Sequence, residues 1–125
     1  MVPKDKTVLG LHETVIMLGP KKKKEILARI DTGAVTSSID KPLAVELGLG
    51  PIIKYDEVKS ATGARERPFI KARVQIKDRK FNFLFNIADR SKMKYKVLIG
   101  QNILKRGFLI DPLLYHRPTK VKKNE

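Results

Sequence analysis

The chain has 125 residues, 42% of them hydrophobic, no cysteine, and a formal net charge of +14. That length supports one core but not two, and that hydrophobic content predicts a folded chain rather than a disordered one. The composition excludes disulfide staples and thiolate chemistry, and no run of about 20 apolar residues exists to span a membrane.

Residues 1–10 carry Lys4, Asp5 and Lys6 without the apolar segment of a secretory leader, so a cytoplasmic location is the expectation. Four positive charges lie in residues 21–24, and a net three lie in residues 116–125, so the remaining body is basic as well. Lysine at this density keeps a surface solvated, and the field also draws anions such as acidic peptides or nucleic acid.

Residues 7–11 and 14–18 are short β-type runs. Gly19-Pro20 signals a turn with solvated lysines at its tip, and residues 25–30 return as a strand. This hairpin delivers Asp31, read as a buried acid, to a tight loop, Asp31-Thr32-Gly33-Ala34, followed by a β-branched run over 35–39. Asp40 reads as a helix N-cap with Pro42 in the first turn, and Leu43, Ala44 and Leu47 form one apolar face. Residues 52–60 read as a strand anchored by Ile53 and Val58. The small segment 61–64 and then Arg65-Glu66-Arg67-Pro68 make 55–75 a long hairpin with a mobile basic tip.

Residues 69–77 alternate apolar with polar side chains, and Asp78-Arg79 turns the chain. Phe81, Phe83, Phe85 and Ile87 alternate again, a period of two that makes these rings core filling rather than a stacking platform for bases. Asp89 and Arg90 read as a structural pair near the loop that follows. Residues 96–100 are a short strand ending in Gly100, residues 101–105 start a helical turn, and Phe108–Ile110 is a last strand stopped by Asp111-Pro112. The expectation is one mainly β domain over 1–115 with one or two short helices, and a loose basic tail over 116–125.

Asp31 is the candidate catalytic group. Two carboxyls about 3 Å apart share one proton, so one takes a proton from water while the other protonates a carbonyl oxygen. Gly33 lets the backbone pass close to such an acid, and the Thr32 hydroxyl can lock the loop. Taken alone, Asp31-Thr32-Gly33 reads more readily as an ordinary Asp–Gly-type turn.

The flanking residues add to this. The block 30–38, apolar–Asp-Thr-Gly-Ala–x–x–Ser, resembles the active-site strand and loop of retropepsin-like aspartic peptidases. Residues 97–104, Val-Leu-Ile-Gly-Gln-Asn-Ile-Leu, resemble their second signature, and 43–49 resemble the helix after the active loop. Leu9-Gly10-Leu11-His12-Glu13, Arg65-Glu66-Arg67-Pro68, the segment 88–95 and residues 108–112 are similar to the RimK-associated branch, often labelled putative ATP-dependent zinc proteases.

The resemblance implies a mainly β, retropepsin-like closed barrel acting as an aspartic endopeptidase. Asp31 would be catalytic, with Thr32, Gly33 and Ala34 supporting it, and the flap would comprise Gly63, Ala64, Arg65 and Arg67. One Asp-Thr-Gly per chain implies a homodimer with an Asp31/Asp31′ dyad. A peptide or protein substrate follows, acidic in character on the strength of Arg65, Arg67, Lys71 and Arg73 about the flap. Glutamate-extended tails made by a RimK-type ligase are one such class. A catalytically silent, peptide-binding version of the same fold is the alternative.

No cofactor is expected. His12 and His116 lie at opposite ends without a His-Glu-x-x-His pair, and no phosphate-cradling Gly-x-x-x-x-Gly-Lys loop exists. Nucleic acid is not the expected partner, because no known binding module is present. Two positions depart from viral retropepsins. Val35 stands where an Asp is usual, and Gln101 where an Arg is usual, so both ends of an ion pair that braces the viral dimer are missing.

Overall fold

A computed structural model describes residues 5–114, so the expected tail over 116–125 lies outside the described residues. Nine strands and two short helices form in the order β1 (Thr7–Leu9), β2 (His12–Leu18), β3 (Lys23–Ile30), β4 (Ser37–Asp40), α1 (Lys41–Leu47), β5 (Lys54–Ser60), β6 (Gly63–Ile76), β7 (Arg79–Ala88), β8 (Val97–Ile99), α2 (Gln101–Leu104) and β9 (Phe108–Ile110). Strands β2-β3-β8-β4-β7-β6 pair in that order, and β6 pairs back onto β2, which closes a six-stranded barrel. Strand β5 hangs outside it on β6 alone, and β1 pairs in parallel with β9 as a separate two-stranded sheet.

The period of two seen in the sequence is the inside–outside pattern of this barrel. Val15 and Met17 of β2, Ala72, Val74 and Ile76 of β6, and Phe85 of β7 point inward with no more than 2% exposure. Phe81, Phe83 and Ile87 pack against that core from its edge. Leu43, Ala44 and Leu47 of α1 close one end, as their spacing predicts.

Several local expectations change. The strand after the active loop begins at Ser37 rather than residue 35. The carbonyls of Ala34 and Val35 already accept the Gln101 and Asn102 N–H groups (2.8 and 3.2 Å), so those residues cannot join a ladder. Asp40 stands at the N-cap position, but its carboxylate makes no cap bond and accepts the Arg90 N–H at 2.7 Å. Asp89 and Arg90 do not pair: Asp89 accepts the Ser91 N–H and hydroxyl, while the Arg90 Nε–H donates to the Tyr95 carbonyl. Strand β5 begins at Lys54, leaving Ile53 exposed rather than anchoring it. Two of the tip lysines are not merely solvated: Lys22 and Lys24 reach Glu46 of α1 at 2.8 and 3.3 Å.

Phe85 is wholly buried at the crossing of β4, β6 and β7. Phe85→Ala should therefore cost about 3–5 kcal/mol of stability, measured by urea unfolding followed by circular dichroism.

Candidate active site

Strand β8 lies between β3 and β4, parallel to the first and antiparallel to the second. Two strands adjacent in the chain are thus held apart by a third that comes some sixty residues later. The loop joining β3 to β4 has to cross the end of β8, and that crossing sets Asp31.

The Asp31 N–H continues the ladder by donating to the Ile99 carbonyl at 2.9 Å. Beyond it the chain turns. The Gly33 N–H donates to Asp31 Oδ1 at 2.9 Å, and the Ala34 N–H to the Asp31 carbonyl at 3.2 Å. A Cβ on Gly33 would lie 3.3 Å from that same carboxylate oxygen, so a side chain there would make the carboxylate give by a few tenths of an ångström. Asp31 is half-buried in a single chain, not buried, and Oδ2 accepts no hydrogen bond from the described residues.

The loop is fastened from the far side by the second sequence block. The Gly100 N–H donates to Ser37 Oγ at 2.9 Å, and Ser37 donates both its N–H (3.0 Å) and its hydroxyl (2.8 Å) to Asn102 Oδ1. The Asn102 amide donates to the Leu84 carbonyl at 2.9 Å, tying β7 into the same knot. A Cβ at Gly100 would stand 2.6 Å from the Thr36 carbonyl oxygen, so no side chain fits there. Gln101 occupies the position of the missing arginine and donates from Nε2 to the Thr32 carbonyl at 2.8 Å. The Thr32 side chain itself is exposed and makes no hydrogen bond among the described residues, where the loop is locked by other groups than its hydroxyl.

Asp31 opens into a cleft of about 820 Å³ between the loop and the β5–β6 hairpin. Of the expected residues, Asp31, Gly33, Ala34, Arg65 and Arg67 line it; Thr32, Gly63 and Ala64 belong to the loop and hairpin but not to the lining. Lys71 and Arg73 do not reach it. Each added residue along a strand advances about 3.3 Å, which carries both away from the hairpin.

Two arginines that the sequence reading passed over do line the cleft, Arg29 and Arg90. Arg90 is 8% exposed. Its guanidinium is pushed below the usual arginine range first by burial, then by the neighbouring Arg67 and Arg29, while Asp40 and Asp31 act the other way. Burial, then Arg65, does the same to Arg67. Arg67 is aimed by Asn86, whose Oδ1 accepts from it at 3.0 Å while the same side chain bonds Ser38, Thr36 and the Ser37 carbonyl. A fully buried asparagine in an otherwise alternating apolar strand was the available signal for this network. No group of three His, Asp or Glu side chains converges among the described residues, and a buried His12 Nδ1 lacks a partner. The described residues therefore offer no ligand set that fits zinc.

A closed barrel with an Asp-Thr-Gly loop threaded this way defines the retropepsin-like class of aspartic peptidase folds. Residues 43–120 match the family model RimB-like, described as retropepsin-like aspartic endopeptidase RimB, and the chain belongs to that family. The matched span starts beyond Asp31, so the acid loop is placed by the fold and not by that match. No curated protein sequence matches the chain. Among solved structures it is similar to Lpg0085 of Legionella pneumophila, a protein of unknown function. That likeness has 20% identity and a TM-score of 0.62, over 86% of this chain and 95% of that one. It is also similar to the retroviral EIAV protease in complex with the inhibitor HBY-793. There the identity is 19% and the TM-score 0.62, over 75% of this chain and 84% of that one. At these identities the likeness is one of fold.

Asn102→Ala should lower stability by about 2 kcal/mol, because the Ser37 N–H and the Leu84 carbonyl are left unpaired. Gln101→Ala, which frees only the exposed Thr32 carbonyl, should cost less than about 1 kcal/mol. Parallel calorimetric melts of the two variants check the ordering.

Proposed function

We propose that the protein is a homodimeric aspartic endopeptidase in which Asp31 from each of two chains forms the catalytic pair. The observation that carries this is the Asp31 carboxylate: one oxygen is pinned by Gly33, the other accepts no hydrogen bond among the described residues, and the residue lines a cleft roofed by a hairpin. One chain supplies one such acid, so the second must come from a two-fold-related copy.

Apolar side chains on the loop side support that assembly. Leu11 is 53% exposed, and its carbonyl accepts the Ile30 N–H, next to Asp31. Val35 is 70% exposed and Leu113 90% exposed. A second copy placed over them would cover them, and Val35 would contribute apolar contact where an ion pair braces viral dimers.

In the dimer one carboxylate accepts a proton from a water molecule, whose oxygen attacks the peptide carbonyl carbon. The other carboxyl gives its proton to the carbonyl oxygen, forming a tetrahedral diol. The C–N bond then breaks as the leaving nitrogen takes a proton and the carbonyl reforms. The hairpin folds over the substrate and keeps bulk water out. Its tip and both strands down to Glu66 contribute no buried side chain, so it can move without opening the core.

The cleft favours acidic side chains. Five cations line it, Arg29, Lys59, Arg65, Arg67 and Arg90, against three acids, Asp31, Glu66 and Asp89. A guanidinium already desolvated and crowded by like charge gains most from a carboxylate partner. Peptides extended with glutamate by a RimK-type, ATP-using ligase are substrates of this class.

Asp31→Asn should abolish cleavage of an acidic test peptide while leaving the dimer intact in sedimentation velocity. Cleavage at the unaltered rate would exclude this chemistry, and a wild-type chain that stays monomeric with peptide bound would leave only a binding role. Arg67→Ala should raise KM for a glutamate-rich peptide about tenfold, the worth of one charge-assisted bond, with little change for a neutral peptide of equal length.

A further inference from the structure

Away from the cleft the barrel carries two other hollows. One, of about 570 Å³, is lined by Arg79, Lys80, Phe81, Asn82, Phe83, Lys105 and Arg106. The other, of about 480 Å³, is lined by Leu18, Gly19, Pro20, Lys23, Arg73 and Lys80. Lys80 belongs to both, so they form one trough across the outer face where β2, β6 and β7 meet. Six cations line it and no carboxylate does, and none of the six makes a salt bridge among the described residues. By contrast, the lysines at the hairpin tip are partly neutralised by Glu46.

The trough is separate from the candidate catalytic site. Arg73 lies six residues beyond Arg67 on the same strand, about 20 Å at the rise of a β-strand. The two sites take opposite ends of the β6–β7 hairpin.

We infer that this trough binds single-stranded RNA through its phosphate backbone. A cluster of six cations without salt-bridge partners among the described residues suits a phosphate backbone, and binding of that kind needs no recognised module. An acidic protein partner would need apolar anchors at the centre of its footprint. None of the large exposed hydrophobic side chains lines either hollow.

The aromatic rings are spoken for. The Arg79 guanidinium lies 5.0 Å from the Phe81 ring centre and 4.6 Å from that of Phe108, and Arg106 lies 5.4 Å from Phe83. They fix the arginines instead of stacking on bases, so recognition is of the backbone and tolerant of sequence. Arg79 is held further by donating to the Gly107 and Arg106 carbonyls. The Asn82 side chain is exposed between these cations and makes no hydrogen bond among the described residues, and its amide offers both a donor and an acceptor to a ribose 2′-hydroxyl. That favours RNA over DNA.

The test is fluorescence anisotropy of the full chain with labelled oligouridylate across a salt series. Micromolar affinity is expected at low salt, falling steeply as salt rises. The triple charge reversal Arg73→Glu, Lys80→Glu, Lys105→Glu should weaken binding at least tenfold. It should also flatten the log–log salt slope by about two, with an unchanged melting temperature. Peptide cleavage should stay at the wild-type level in this variant, and Arg67→Ala should leave RNA binding untouched. The milder set Arg73→Gln, Lys80→Gln, Lys105→Gln repeats the measurement should the reversals fail to fold. Oligothymidylate should bind severalfold more weakly, and Asn82→Ala should remove that difference. RNA affinity within twofold of wild type in the folded variant would overturn the inference. So would equal affinity for oligothymidylate. Full displacement of RNA by oligoglutamate at matched charge would reassign the trough to an acidic protein.

Discussion

The threading of β8 between β3 and β4 is the constraint on which the rest depends. Three hydrogen bonds from Ser37 and Gly100 meet at the end of that strand, and Asn102 carries them on to β7. Neutral bonds of this kind are worth about 1 kcal/mol each when both partners are kept, and more when one is orphaned in a buried setting. Their value here is positional. They hold the ends of a loop whose middle, Asp31 to Ala34, carries the acid, so the carboxylate needs no strong partner of its own to be kept in place.

Charge is distributed with the same economy. Burial and mutual repulsion depress the Arg67 and Arg90 guanidiniums, yet both line the cleft beside Asp31 instead of pairing with a nearby acid. Asp40, the acid nearest in role, spends a carboxylate oxygen on the Arg90 backbone. The site is thus built with unspent positive charge, which an incoming anion can satisfy. On the outer face the trough repeats this with six further cations, so the net charge of +14 is organised rather than spread evenly.

Much of the architecture was legible in the chain. The period of two in β6 and β7 marked them as strands with one inward face, the aliphatic run before Gly100 marked a further strand, and the closed barrel was implied by the family resemblance. The Asp31 loop stands out in the sequence because its neighbours on both sides form a recognisable block. What escaped was long-range. Nothing local shows that Arg29 and Arg90, sixty residues apart, face one cleft, or that Asn86 aims Arg67. Nor does sequence spacing tell that the carbonyls of Ala34 and Val35 are claimed by α2, which shortened the strand expected at 35–39. Lys71 and Arg73 were credited to the flap by proximity in sequence, and strand rise carried them elsewhere.

Strand β6 runs unbroken for 14 residues, and its two halves live in different surroundings. From Phe69 onward it is a barrel stave paired with β7, and from Arg73 it is paired with β2 as well. Before Pro68 its only partner is β5, and its side chains are open to solvent or half so. A lever results, with its fulcrum clamped near Phe69 and its free arm reaching over the acid. The arm's side chains lie outside the hydrophobic core, so the stretch that roofs the cleft and the stretch that forms the barrel wall are supported by separate contacts within one continuous segment.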